Sequence, residues 1–228
     1  MMAKMRLSII IPTLNEQDVI GALLDDLAPL RACGDELILV DGGSNDATFT
    51  LAAGRVDRLI HSTPGRAVQM NAGAKVAHGD VLWFVHADSR VPADAAQRLR
   101  DAIHGSQAWG RFDVSLSGRQ WSLRVIETLM NLRSRWTGIA TGDQGIFVHR
   151  ALFDVVGGYP SIPLMEDIEL SRALRMRMPP ACLRRPRLQT SSRRWEQRGI
   201  LRTVLLMWRL RLQHALGTPA AKLARIYR

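Results

Sequence analysis

Lysine is almost missing from this chain. Of its 31 basic residues only Lys4, Lys75 and Lys222 are lysine. Codon composition alone can produce that bias, so arginine identity by itself carries little weight. Cysteine is as scarce. Cys33 and Cys182 lie far apart and in no CxxC pair, which excludes a disulfide framework and a cysteine zinc site and points to a reducing compartment. Long apolar runs are lacking too. Near the N-terminus Leu7 to Ile11 is the only one, closed by Pro12. It is too short for a signal-peptide core and has no small-residue cleavage site after it. Nothing approaches the ~20 apolar residues of a membrane span. The expectation is a soluble or surface-bound chain, cytoplasmic or at the inner face of the cytoplasmic membrane. Internal repeats, low-complexity tracts and flexible linkers are also absent, so residues 1–228 read as one domain.

The remaining deficit is of acid, and it is local. Residues 1–171 hold 16 Lys+Arg and 20 Asp+Glu, whereas residues 172–228 hold 15 Lys+Arg and a single acid, Glu196. A mildly acidic body thus carries a strongly basic C-terminal quarter, which calls for an anionic partner: nucleic acid, a membrane surface or a phosphorylated ligand. The bulk composition, 46% hydrophobic and 23% charged, is that of an ordinary globular protein with a substantial core.

The first ninety residues alternate short apolar runs with helical patterns. Arg6 to Ile11, Glu36 to Val40, Val56 to His61 and Asp80 to Val85 read as strands. Between them lie a helix presenting Val19, Ile20, Leu23, Leu24, Leu27 and Leu30, a short helix capped by Asn45 or Asp46 and running to about Ala53, and a helix from Arg66 to Ala77. Such alternation predicts an α/β, doubly wound, mostly parallel sheet flanked by helices. In the second half, Trp109 to Leu116 alternates like a strand with one wet face. Gln120 to Trp136 is an amphipathic helix, Thr141 to His149 is strand or loop, and a helix opens at Leu164 and continues to about Met176. Ile200 to Leu216 is a long helix.

Ligands of doubly wound sheets gather at the carboxyl ends of the strands, so the post-strand segments are the first candidates. They are Pro12-Thr13-Leu14-Asn15-Glu16, Asp41-Gly42-Gly43-Ser44 and His86-Ala87-Asp88. Asp41 either accepts hydrogen bonds from a base or ribose or caps the following turn. Asp88 suits a divalent cation holding a diphosphate, since Mg²⁺ takes only one or two protein carboxylates; it equally suits a helix N-cap before Pro92. Glu166-Asp167 opens a helix, which is favourable for acids in any case, or supplies a general base. Arg66, at a helix start, makes a phosphate site or a surface contact.

The order of these pieces is more specific than any one of them. Ile10-Ile11-Pro12-Thr13-Leu14-Asn15-Glu16 resembles the opening strand and loop of family-2 glycosyltransferases. Leu37 to Thr48 resembles that family's acid-ended strand and Ser/Asp/Thr helix start. Gly65-Arg66-Ala67 with Asn71-Ala72-Gly73 and Ala77 to Asp80 resembles its third segment, and Phe84-Val85-His86-Ala87-Asp88 stands where the family has its DXD metal motif. Gly142-Asp143-Gln144-Gly145 and Met165-Glu166-Asp167 resemble its acceptor-side strand and base-bearing ED motif. The similarity covers residues 6–175 or so and is nearest to the small, single-domain bacterial branch.

The resemblance implies a GT-A fold, a nucleotide-diphospho-sugar donor, a divalent metal (Mn²⁺ or Mg²⁺) and inversion at the anomeric carbon. It divides the chain into a nucleotide-binding half 1–90, an acceptor half 91–195 and basic amphipathic C-terminal helices 196–228. Residue by residue it implies that Pro12, Thr13, Asn15 and Glu16 line the nucleotide pocket, with Asp41, Gly43, Arg66, Asn71 and Ala87 also on the donor. Asp88 would hold the metal, and Asp167 would be the base with Glu166 beside it. The chain departs from the pattern in two places. His86 replaces the first DXD acid and either binds the metal, packs at the strand end or touches the sugar. Ser191-Ser192-Arg193-Arg194-Trp195 keeps Arg-Trp of the processive Gln-x-x-Arg-Trp motif but has Ser191 for Gln, which argues against a processive synthase. Arg193 or Arg194 would then hold the leaving diphosphate and Trp195 would stack on acceptor, or the segment is a basic pair beside a buried Trp.

Three other functions have partial support in the sequence. A nucleotidyltransferase would have a glycine-rich basic loop after the first strand, which Pro12 to Glu16 is not. A catalytically inactive sugar-nucleotide binder is suggested by His86. Nucleic-acid binding would need interleaved aromatics, and the tail has few beyond Trp195, Trp208 and Tyr227. On a helical wheel Ile200, Leu201, Val204, Leu205, Trp208, Leu212 and Ala215 share one broad face opposite Arg202, Arg209 and Gln213. That face either covers the sheet or lies on an anionic membrane, the second fitting a lipid or lipid-phosphate acceptor.

Overall fold

The computed structural model describes residues 5–104 and 107–227, apart from the side chains of Arg194, Arg198 and Leu201. Four strands form a parallel block: β1 (Leu7–Thr13), β2 (Glu36–Asp41), β3 (Arg58–His61) and β4 (Val81–Phe84). Three more complete a seven-stranded sheet: β5 (Trp109–Leu116), β6 (Phe147–His149) and β7 (Ala181–Thr190). Their order is β3-β2-β1-β4-β6-β5-β7. β6 runs antiparallel to both β4 and β5, and β7 is parallel to β5.

The continuous apolar runs of β1, β2 and β4 reflect burial on both faces. Alternate residues feed two cores. Leu7, Ile9, Ile11, Leu37, Leu39, Val81 and Trp83 pack with α1 (Gln17–Ala32) and α4 (Ala95–His104). Ile10, Ile38, Val40, Leu82 and Phe84 pack with α3 (Arg66–Val76), α6 (Arg150–Val155) and α7 (Glu166–Arg175). The chain winds outward from β1 through β2 and the short α2 (Thr48–Ala52) to β3, then returns by α3 to β4 on the other side of β1. The crevice between β1 and β4 is therefore a topological switch point, where such sheets bind ligands.

Three sequence readings are corrected. The wet face assigned to β5 does not exist: Arg111 and Asp113 are 1% and 0% exposed. Asp113 takes ion pairs from Arg111 and from Arg135 of α5 (Trp121–Thr137), so polar alternation here marks a buried charge network. β7 was not anticipated, because Arg184, Arg185 and Arg187 around Pro186 do not look like a strand; it is a sheet edge, where side chains stay exposed and proline is tolerated.

The third concerns α9 (Ile200–Ala215). Its wheel face does not cover the sheet as a unit. Ile200 and Val204 do pack on Leu116, Leu123 and Ile126. Leu205, Trp208 and Leu212 point outward at 69%, 70% and 62% exposure. The inward residues are Thr203 and Leu210, the latter packed with Leu164, Met165, Ile168 and Leu223 of α10 (Ala220–Tyr227).

Candidate active site

One end of the candidate site is built from the loops after β1 and β2, which are pinned to each other. Asn15 N–H donates to Ser44 Oγ at 2.9 Å, Glu16 N–H to Thr48 Oγ1 at 2.7 Å and Gln17 N–H to Asp46 Oδ2 at 3.2 Å. In return Asn45 N–H donates to Asn15 Oδ1 at 2.8 Å and Ala47 N–H to Gln17 Oε1 at 3.0 Å. Asn15 adopts φ 55°, in the left-handed region that asparagine tolerates better than most residues. Beneath the loops, Pro12 and Thr13 are buried. Buried Gln69, which sequence reasoning passed over, donates through Nε2 to the carbonyls of Thr13 (2.7 Å) and Val40 (2.9 Å), tying the two strand ends together.

Asp41 performs the turn role. Its Oδ2 accepts from the N–H groups of Gly43 (3.0 Å) and Ser44 (2.9 Å), and its Oδ1 from Ser44 Oγ at 2.5 Å. Burial alone would raise its pKa; these hydrogen bonds, with His61 nearby, outweigh burial and hold the carboxyl below its ordinary range. Gly43, at φ 94°, supplies the backbone reversal. Asn71 is likewise spent on structure. It donates to Tyr159 O at 2.7 Å and accepts from Tyr159 N–H at 3.0 Å, so it fastens α3 to the 157–159 turn.

Asp88, His86 and Ala87 follow β4, with Ala87 buried. Glu16 stands close enough to Asp88 for the two carboxylates to repel. Burial first and Asp88 second raise the Glu16 pKa, and its Oε2 is buried without a hydrogen-bond partner. Facing acids of this kind suit a cation. Among the described residues no group of three or more His, Cys, Asp or Glu could hold a metal by themselves. The donor set thus fits a Mg²⁺-type ion that completes its shell with substrate oxygens and water. His86 packs its ring against Gly142: a Cβ on that glycine would stand 2.6 Å from both Cε1 and Nε2. Burial, then the charge of Arg66, lowers the His86 pKa, so the imidazole is neutral at neutral pH.

A second acid cluster stands near these residues: the charges of Glu166 and Asp167 act on Arg66, and that of Asp167 acts on His86. Met165, at φ 69°, and Asn15 are the two non-glycine residues with positive φ among the described residues, and both sit at the site, where such conformations concentrate. Met165 turns the chain into α7, whose first residues are Glu166 and Asp167. Asp167 Oδ2 accepts from Gly142 N–H at 2.8 Å and Oδ1 from Ile168 N–H at 2.8 Å. Glu166 pairs through Oε1 with Arg66 Nε at 2.9 Å, which places Arg66 on the acid pair. Burial raises the Glu166 pKa, Arg66 opposes this and Asp167 adds to it. Two further groups, with no local sequence signal, complete this end. Tyr159 Oη is buried without a partner and its pKa is pushed well up by burial. Arg133 of α5 has Nε and Nη2 buried without partners, and burial lowers its pKa against the pull of Asp143 and Asp167. Asp143 itself was within a quoted motif but not selected.

Of the Arg-Trp segment, Arg193 reaches the site: its Nη2 is 3.8 Å from Glu16 Oε2. Trp195 does not; it packs on Leu116, Leu123 and Ile126 as core. The Arg194 side chain lies outside the described residues. Glu16, Asp88, His86, Arg66, Glu166, Asp167 and Arg193 are brought together; Asp41, Asn71 and Trp195 support the frame.

A doubly wound half that presents latched loops at its switch point, joined to a half carrying a fixed acid pair, defines a nucleotide-sugar transferase architecture. The model for Glycosyl transferase family 2 matches residues 8–154. The chain belongs to that family. A "PGL/p-HBAD biosynthesis glycosyltransferase" of Mycobacterium tuberculosis is 36% identical over 178 residues, 69% of this chain and 64% of that one. An "Undecaprenyl-phosphate 4-deoxy-4-formamido-L-arabinose transferase" of Pectobacterium atrosepticum is 31% identical over 152 residues, 60% of this chain and 46% of its own length. The fold is shared with the GT-A type glucosyl-3-phosphoglycerate synthase from Mycobacterium tuberculosis, solved with Mg²⁺ and UDP. The TM-score is 0.60 at 18% identity, over 82% of this chain and 70% of that one. This chain spans 64% of the length of its mycobacterial relatives. Among the described residues no helix is long and apolar enough to cross a membrane.

Proposed function

We propose that this protein transfers a glycosyl group from a nucleotide-diphospho-sugar to an acceptor hydroxyl or lipid phosphate, with inversion at the anomeric carbon. The reading treats the chain as one catalytic domain with a donor half and an acceptor half. The observation that carries it is the fixed carboxylate of Asp167. Two backbone N–H groups orient it and leave lone pairs for a proton.

Asp167 takes the proton of the acceptor oxygen as that oxygen forms a bond to the anomeric carbon. The bond from that carbon to the diphosphate breaks, and the nucleoside diphosphate leaves with the electron pair. Arg66 neutralises Glu166, which keeps a second negative charge from crowding the base. Arg193, near Glu16, faces the charge that grows on the departing diphosphate. A divalent cation held by Asp88 would offset the same charge. The neutral His86 ring, wedged against Gly142, fills the wall between donor and acceptor.

General-base catalysis contributes typically ~10²–10⁴-fold. Asp167→Asn is expected to lose turnover on that scale while binding donor as the parent does. The test is a thermal-shift panel of UDP-, GDP- and dTDP-sugars with Mn²⁺, followed by transfer and hydrolysis assays with the stabilising donor. Full turnover by Asp167→Asn would remove the base assignment. Donor binding with no turnover for any acceptor would favour an inactive sugar-nucleotide binder, the reading that His86 in place of an acid supports.

A further inference from the structure

Two neighbouring helices leave apolar stripes in water. On α5, Trp121, Val125, Leu129 and Trp136 are 79%, 47%, 57% and 83% exposed. Their spacing puts them along one side of the helix, and the two tryptophans stand about 22 Å apart. On α9 and just past its end, Leu205, Trp208, Leu212 and Leu216 are 69%, 70%, 62% and 76% exposed, again at helical spacing. The helices are neighbours, since Ile200 and Val204 of α9 pack on Leu123 and Ile126 of α5. We propose that α5 and α9 together form a docking face for the interface of an anionic lipid bilayer.

The charge around the stripes selects this occupant. Arg119, Arg124, Arg202 and Arg209 are exposed on or beside the two helices. The one acid of α5, Glu127, is 4% exposed, and α9 contains none. Tryptophan flanked by arginine is the composition of interfacial helices, where the ring sits at headgroup level and the guanidinium meets lipid phosphate. A second copy is a poor occupant. An isologous contact would set Arg119, Arg124, Arg202 and Arg209 against their copies with a single exposed acid beside them, Glu196, too few to pair them. Neither helix spans the bilayer; they lie on it. The docking rests on exposure and charge alone. One consequence does rest on the proposed activity: α5 ends at Gly138 and leads into the segment whose Gly142 N–H holds Asp167, so a lipid-borne acceptor would approach along this face.

The experiment is vesicle flotation of the full chain with phosphatidylcholine alone or with phosphatidylglycerol added. The parent is expected to float with anionic vesicles and to be released by high salt. Trp121→Ser with Trp136→Ser, and separately Leu205→Ser, Trp208→Ser and Leu212→Ser, should each lower partition at least about tenfold. All these side chains are exposed, so thermal unfolding should match the parent and confirm that the variants fold. Failure of the parent to float would overturn the proposal. So would an α5 variant that floats like the parent, or a dimer in sedimentation that the same substitutions disperse. Donor binding is read separately, so the fate of the proposed activity does not enter.

Discussion

Gly142→Ala tests the coupling between the two ends of the site. The added Cβ would stand 2.6 Å from Cε1 and Nε2 of His86. Carbon contacts settle at about 3.5–4.0 Å, so the ring or the loop must move by about 1 Å. Gly142 does not have a positive φ, and alanine adds no backbone strain; the whole effect is the collision. Overpacking of this kind costs about 1–3 kcal/mol, and for a chain of this size each kcal/mol lowers Tm by about 2–4 °C. A fall of about 2–12 °C is therefore expected. Turnover should fall too, because the loop that shifts carries the N–H that orients Asp167. The decisive measurement is a double-mutant cycle by urea unfolding. His86→Ala empties the space that the new methyl needs, so adding Gly142→Ala to it should be nearly neutral. The coupling should reach about 1 kcal/mol or more. A Gly142→Ala protein as stable as its parent, or additive losses in the double mutant, would refute the packing of His86 on this glycine.

Asp88→Ala should abolish the Mn²⁺ dependence of donor binding in calorimetry; identical isotherms with and without Mn²⁺ for parent and variant would remove the metal role. Asp113→Ala strands Arg111, 1% exposed, beside Arg135, and should cost about 3–5 kcal/mol, read as a lowered urea midpoint. Glu36, whose side chain is 3% exposed, is pushed up by burial. It is drawn down to about 2 by hydrogen bonds from Ser8, His78 and Arg58. A depressed carboxylate stabilises the fold above its unfolded pKa and loses that contribution as pH falls through the folded value. The window here runs from 4.5 down to about 2, and the contribution is about 3 kcal/mol. Urea midpoints of the parent should drop across that window more steeply than those of Glu36→Gln; parallel curves would count against it.

The first ninety residues were legible because their signals are local. β1, β2 and β4 are buried on both faces and read as unbroken apolar runs, and their post-strand loops carry the motifs. The residues after β4 were less legible because their signals depend on partners far along the chain. Arg111 and Asp113 look like a solvent face until Arg135 arrives from α5. β7 looks like a charged loop because an edge strand leaves its arginines in water. The α9 wheel counts apolar positions correctly but cannot say which of them α5 and α10 cover. In the site, carboxylates near motif positions could be found, whereas Arg133 and Tyr159 became visible only as buried polar groups lacking partners. Asp41 and Asn71 show the converse: motif residues whose side chains hold the frame.

The latch between the loops after β1 and β2 has a consequence for how such a protein can be re-engineered. Five hydrogen bonds cross from one loop to the other, each using a side chain from one and a backbone N–H from the other. Neither loop is an independent module. A graft of the 14–17 segment from another transferase removes the Asn15 and Gln17 side chains and leaves the N–H groups of Asn45 and Ala47 without their acceptors. A graft of the 44–48 segment removes Ser44, Asp46 and Thr48 and leaves the N–H groups of Asn15, Glu16 and Gln17 without theirs. The two loops therefore change as a block, and a library that diversifies one loop at a time will sample mostly mispaired walls. Exchanging 14–17 and 44–48 together keeps every rung of the latch and is the smallest cassette that can change.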